Sequence, residues 1–191
     1  MPGTLNVSPQ VFSLLVSDIV LELVRTGFKN VVIFLAHGGT DNRVALESAL
    51  KMILKRNPRM RKISISLVSS RDVSKLCRDY FDMEPEHDYH AGAVETSQML
   101  YLRPELVKMD QLEMDDEHTL GMMRKNPDYY EKNDKIIEHH LVMPYSYQRE
   151  EVRIGVMGFP QQASAELGKR MTDEITQGLA DYVNFIDTSN R

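Results

Sequence analysis

Residues Asn30 to Ala36 read NVVIFLA, and after Asn30 every position is apolar. A strand with one face in water alternates apolar and polar side chains, whereas a run that is apolar throughout is covered on both faces. Covering both faces takes helices above and below, the arrangement of a parallel sheet joined by helical crossovers. The neighbouring chain supplies them. Ser8 is a natural N-cap, Pro9 suits the first helical position and Gly27 provides a left-handed stop. The polar residues between them form one narrow stripe, so this first helix is expected to be mostly buried. A helix over Arg43 to Arg56 closes at Asn57-Pro58, and Lys62 to Val68 (KISISLV) reads as a second strand. Ser70 is expected to cap a short helix through about Tyr80, and Ala93 to Leu102 a further one, interrupted by Pro104.

From Gln111 to Glu151 the periodicity weakens, which marks residues 111–151 as an excursion carrying one helix at Asp128 to His139. Arg153 to Met157 returns as a short strand ending at Gly158-Phe159-Pro160. The last helix lines up Ala163, Leu167, Met171, Ile175, Leu179, Tyr182 and Ile186 on one face. The expectation is a single domain over residues 1–191, α/β in class, with a mostly parallel sheet between helical layers. It begins on a helix with no strand before it, so a central element is expected to be absent.

A net charge of −5 on 191 residues gives no electrostatic footprint for nucleic acid. The basic run Lys51 to Lys62 (KMILKRNPRMRK) falls where a helix hands over to a strand and reads as a solvated helix end. Asp18, Glu22 and Arg25 interrupt the longest apolar stretch, which excludes a membrane span there. Cys77 is the single cysteine, so neither an intrachain disulfide nor a thiolate cluster can form. The opening MPGTLNVSPQ has no basic n-region, and a cytoplasmic location is expected.

Two clusters carry chemistry. His37-Gly38-Gly39-Thr40-Asp41-Asn42 follows the buried strand directly, and parallel sheets bind ligands beyond the carboxyl ends of their strands. A lone histidine there also reads as a satisfied loop residue. The loop has neither G-x-G-x-x-G nor G-K-[ST], which argues against a phosphate cradle. The second cluster is Asp88-Tyr89-His90-Ala91-Gly92-Ala93-Val94-Glu95-Thr96-Ser97. Asp88 is close enough in sequence to orient the His90 imidazole, and Glu95 falls in the first turn of the next helix. A carboxylate beside an imidazole suits acid–base work; at a helix start Glu95 also suits the dipole.

The order HGG after an apolar strand, then D-x-HAG-x-x-ETS-x-M-L-x-L-x-P-x-L-V through Val107 and on to Met109-Asp110, resembles the creatininase (creatinine amidohydrolase) family. The opening PGT and NVS and the later Gly155, Gly158, Pro160, Ala163, Glu166 and Gly168 extend the likeness. The resemblance implies a three-layer α/β/α domain, ring-like homo-oligomers, and hydrolysis of a small cyclic amide or related C–N bond. It implies two divalent ions per complete site, zinc, manganese or iron. It makes His37 a metal ligand and His90 the acid–base residue, and Glu95 either partners His90 or ligates the second ion. Asp88 completes the catalytic set, and Gly38, Gly39 and Asn42 are candidate substrate contacts. True creatininases carry an acid where Gly39 stands, so creatinine is not the expected substrate.

Leu35-Ala36-His37 departs from the family's Asn-Gly-His, and Thr40-Asp41-Asn42 displaces its usual asparagine. The family's E-x-H-G-x-H motif, with its bridging Asp, has no counterpart before Ser8. The site is therefore expected to be incomplete and metal binding weak or partial in this chain, a truncated or shortened member of the family. Glu84, Glu86, His87 and Asp88 have ligand chemistry and are a secondary candidate set, while Glu138-His139-His140 reads as a helix end. The alternative function is a non-catalytic binding or assembly paralogue on the same scaffold.

Overall fold

The computed structural model describes Leu5 and residues 7–190; the Pro2-Gly3-Thr4 and Asn6 positions of the resemblance lie outside them. In chain order the elements are α1 (Pro9–Arg25), β1 (Asn30–Leu35), α2 (Thr40–Arg56), β2 (Ser64–Ser69), α3 (Ser70–Val73), α4 (Lys75–Phe81), α5 (Ala93–Leu102), α6 (Glu117–Lys125), β3 (Glu131–Asp134), β4 (Tyr145–Gln148) and α7 (Ala165–Ser189), with short 3-10 turns between several of them. Leu76–Asp173 forms one compact unit. The described residues before it, with Glu174 onward, form the other.

In the unit built on β1 and β2 the two strands pair in parallel, Val31 opposite Ile65 and Leu35 opposite Ser69. Side chains alternate across a strand, so each face has its own covering layer. Val31, Ile33 and Ile65 pack with Val20 of α1, Leu50 of α2 and Met60 of the 3-10 turn. On the other face the Ser66 hydroxyl lies 2.7 Å from that of Tyr182 in α7. Phe34 lines a cavity of about 430 Å³ with Ile175, Leu179 and Val183 of the same helix. The unit is thus the α/β/α sandwich expected from the continuous apolar run.

The helix ends follow local chemistry. Ser8 accepts the Val11 N–H, and Gly27 at φ +106° closes α1 while the Phe28 N–H returns to the Leu23 carbonyl, a Schellman cap. The burial expected of α1 is not found. Only Val20 is buried, while Val11, Leu14, Leu15 and Ile19 are each more than half exposed. The stripe Val16, Val20, Leu23 and Val24 meets the core, and among the described residues no element covers the opposite side. β1 likewise pairs with β2 alone. The helix expected from Ser70 to Tyr80 is two helices, because Ser74 adopts extended geometry between them. Its cap is Ser69, in a capping box with Asp72.

The unit over Leu76–Asp173 departs further from expectation. Asp128 to His139 is not helical. Pro127–Tyr130 makes one 3-10 turn, and β3 then pairs antiparallel with β4. Residues 153–157 are not a strand either. The N–H groups of Arg153, Ile154 and Gly155 go to the Asp115 carboxylate at 3.0 to 3.2 Å, and that of Met157 to the His90 carbonyl. Donors taken by a side chain are not available to a ladder. Among the described residues no helix is long and apolar enough to cross a membrane.

Leu50 is a buried residue of the α1–β1–α2 core, so Leu50→Ala should cost about 2–4 kcal/mol from lost transfer energy and a residual cavity. Urea unfolding followed by circular dichroism measures it; a cost under about 1 kcal/mol would mean that the helices do not pack as described.

Candidate active site

His37 sits two residues beyond β1, at the carboxyl end of the parallel pair, and is exposed. Gly39 is the N-cap of α2 with no side-chain cap. A Cβ built there would come 2.7 Å from His37 Nε2, so the imidazole lies over the bare Cα of Gly39. Any side chain at position 39, including an acid, requires the ring to move. Gly38 is exposed in the same turn, and Asn42 is half-buried in the first turn of α2, which starts at Thr40, three residues before the expected Arg43.

Asp88, His90 and Glu95 belong to the other unit. The HAG turn is entered from a loop, not from a strand, and leads into α5 at Ala93. Asp88 is fully buried. One oxygen accepts the Ala93 N–H at 2.8 Å and the Phe159 N–H at 2.8 Å, and the other accepts the Val94 N–H at 3.0 Å. These are orphan donors of the helix start together with one from the Gly158-Phe159 segment. The close approach explains two glycines: a Cβ on Gly92 would fall 2.0 Å from Asp88 Oδ1, and one on Gly158 2.3 Å from it. The expectation that Asp88 orients His90 thus meets a different set of partners. Its carboxylate holds backbone.

The acid beside the imidazole is Glu95, with Oε1 at 3.8 Å from His90 Nδ1, an ion-pair separation between half-exposed side chains. Glu95 Oε2 accepts the Ala91 N–H at 2.9 Å, and the Thr96 hydroxyl donates to the Ala91 carbonyl at 3.2 Å. These bonds hold Ala91 at φ +51°, a left-handed conformation that costs an L-residue about 1–2 kcal/mol. Glu95 raises the His90 pKa above the ordinary 6.5, against partial burial, which lowers it.

The secondary ligand set does not assemble. Glu86 pairs with Arg124 at 3.3 Å, Asp88 is used as above, and the buried Nδ1 of His87 has no hydrogen-bond partner. His139 and His140 hold their rings 4.4 Å apart, tilted by 33°, outside any helix. Among the described residues no group of three or more His, Cys, Asp or Glu side chains is placed to hold a metal ion. A zinc site takes three or four protein ligands, so these residues do not fit a two-metal centre.

Two contributors had no sequence signal. Arg124 of α6 donates to the Gly158 carbonyl at 2.9 Å, pairs with Glu86, and lies 4.1 Å over the Phe159 ring. Asp115 clamps residues 153–155. Both come from the excursion, where weak periodicity concealed them.

The pattern of the creatininase family (creatinine amidohydrolase) matches residues 1–183. Among solved structures, a Trp-to-Phe mutant creatininase is similar at 21% identity and TM-score 0.66, with 96% of this chain and 66% of that one covered. A Zn–Zn form of a Glu-to-Gln mutant creatininase gives 21% and 0.65, and a manganese creatininase 22% and 0.64, with the same coverage. The chain spans 66% of the length of these structures, a little under two thirds. No curated protein sequence matches it.

Two outcomes test this geometry. Asp88→Ala strands three backbone donors and should destabilise by about 3 kcal/mol or more, read by urea unfolding. Glu95→Gln should lower the His90 pKa, read by NMR titration of its ring protons. The folded pKa lies above the unfolded one. The pair therefore stabilises fully below about pH 6.5, and its contribution is lost as pH rises through the folded value. Glu95→Gln should remove that dependence, and an unchanged His90 titration would separate the two side chains.

Proposed function

The chain belongs to the creatininase family, and from that premise we propose that it is an amidohydrolase-type subunit acting on the C–N bond of a small cyclic amide or related metabolite. The His90–Glu95 pair at the start of α5 carries this reading. With Nδ1 facing Glu95, Nε2 is the atom that exchanges protons with substrate. Neutral His90 takes a proton from the attacking water as its oxygen bonds to the amide carbon. The imidazolium, favoured by Glu95, returns that proton to the leaving nitrogen as the C–N bond breaks. Asp88 acts by holding the turn that presents His90, and Glu95 is assigned to His90 rather than to an ion. His37 is proposed as a metal ligand, with Gly38, Gly39 and Asn42 at the substrate. Zinc, manganese or iron is the proposed cofactor of a complete site; the described residues do not gather one, so no step runs through it. A cytoplasmic homo-oligomer is proposed, with self-association read by light scattering.

The misfit to a two-metal centre favours a second reading, a non-catalytic binding or assembly role on the same scaffold. A panel of cyclic amides, assayed with added zinc or manganese, separates the two. For an enzyme, His90→Ala should lower turnover about 100-fold or more and leave metal content unchanged. His37→Ala should lower metal content, and creatinine should be a poor substrate. Binding of panel amides without hydrolysis, equal in His90→Ala, would establish the second reading instead. After exhaustive dialysis, elemental analysis should find fewer than the two ions of a complete site. Two tightly held ions would place the ligands elsewhere.

A further inference from the structure

Charge is divided unequally along the chain. Leu76–Asp173 carries 11 Lys and Arg against 20 Asp and Glu, a net −9; the remaining residues carry 12 against 8, a net +4, and together these make the −5 of the whole. Within the positive unit no acid occurs between Glu47 and Asp72, while Lys51, Lys55, Arg56, Arg59, Arg61, Lys62 and Arg71 do. Lys55 and Arg56 suit the C-terminal dipole of α2. That accounts for two charges. Arg59, Arg61 and Lys62 lie in the 3-10 turn after it, and Lys29 immediately precedes β1. All six of these are exposed, and none of their side chains is paired with an acid among the described residues.

Their placement is specific. β1 starts at Asn30 and β2 at Ser64, and the Ser64 N–H bonds to the Lys29 carbonyl, so these cations gather at the amino-terminal end of the parallel strands. His37 follows the carboxyl end. Beside the cations is an open cavity of about 600 Å³ lined by Leu21, Val24, Phe28 and Ile63, with Arg25, Lys29 and Arg59 among its polar neighbours. Asp18 and Glu22 also line it, Glu22 being paired with Arg25. Phe28 is more than half exposed. An apolar floor rimmed by arginines is the composition of a docking surface rather than of a merely solvated helix end.

We propose that this basic face at the amino-terminal end of the sheet is a self-association surface that receives the acidic Leu76–Asp173 unit of a second copy, head to tail. Charge complementarity selects this occupant. A second copy brings a unit of net −9, with Asp110, Glu113 and Glu117 exposed, to a face that carries six exposed cations. Like faces repel, so the contact joins unlike faces. Such an interface is heterologous and closes into a ring or extends as a chain. A contact there leaves the carboxyl end of β1, with His37, uncovered. The proposal rests on the homo-oligomer reading and is independent of the hydrolase reading.

Light scattering and sedimentation of the full chain across a salt series, with three charge variants, test it. The wild type should associate at low salt and weaken about tenfold or more on moving to 0.5 M NaCl. Arg59→Glu with Arg61→Glu and Lys62→Glu should give a monomer, as should Asp110→Lys with Glu113→Lys; all five side chains are exposed, and unchanged thermal unfolding verifies each fold. Mixed one to one, the two variants present complementary faces to each other, the unaltered basic face with the unaltered acidic unit and the two reversed faces together, so association should return. Lys51→Glu with Lys55→Glu should weaken association less, these residues being on the α2 side of the face. An oligomer indifferent to salt and to both reversals would overturn the interface while leaving self-association standing. A monomer at every salt concentration would overturn both. Binding of heparin or phosphatidylserine vesicles, lost in the arginine variant and without self-association, would overturn the second copy in favour of a polyanion.

Discussion

A buried carboxylate fixes the unit that carries the candidate acid–base pair. Asp88 is fully enclosed, and a buried charge is tolerated only where hydrogen bonds replace the lost water. Three backbone N–H groups do so, two of them at the positive end of the α5 dipole. The same three bonds dictate the surroundings. Gly92 and Gly158 carry no Cβ because one would overlap the carboxylate, and the Gly158-Phe159 segment is drawn against the loop before α5. His90 then lies on a short turn held at both ends, its own carbonyl receiving the Met157 N–H. With Asp88 spent on backbone, the acid that faces the imidazole is Glu95, from the first turn of α5.

What the sequence made legible was governed by neighbours within a few residues. The ends of α1 followed from Ser8, Pro9 and Gly27, and α5 from its apolar spacing and Pro104. The continuous run through β1 announced cover on both faces, and α1, α2 and α7 provide it. The failures share a physical cause. Residues 153–157 read as a strand because Ile154, Val156 and Met157 are apolar, but the donors of residues 153–155 go to Asp115, about 40 positions away, Gly155 turns the chain at positive φ, and no local pattern reports such a bond. Asp128 to His139 has helix formers, yet Pro127 starts a 3-10 turn and the cross-strand bond from Tyr147 to Asp134 belongs to a hairpin. Amphipathic spacing placed α1 on a core correctly but overstated its burial, because spacing says which side is apolar and not whether an element exists to cover it.

The candidate site was legible in the same uneven way. The family resemblance left Glu95 as partner of His90 or as metal ligand, and spacing left Asp88 as orienting acid. The two carboxylates differ in what surrounds them, which sequence does not record: Asp88 points into a knot of backbone donors, Glu95 toward a half-exposed imidazole. Gly39 is the opposite case. Its lack of a side chain was visible at once; what sequence does not record is that the exposed His37 ring lies over its Cα, where a Cβ would displace it.

The two ends of the parallel strands carry different chemistry for a reason built into the sheet. Crossover connections deliver loop residues such as His37 to the carboxyl ends, where helix N-termini and free backbone donors face a ligand. The amino-terminal ends receive helix C-termini, whose exposed carbonyls favour cations, so a basic face accumulates there at little cost. In most chains such a face is simply solvated. Here the cations extend past what the α2 dipole requires, stand unpaired beside an apolar cavity, and coexist with a unit of opposite charge in the same polypeptide. A contact built on that end would use surface that the carboxyl end, with His37, does not need.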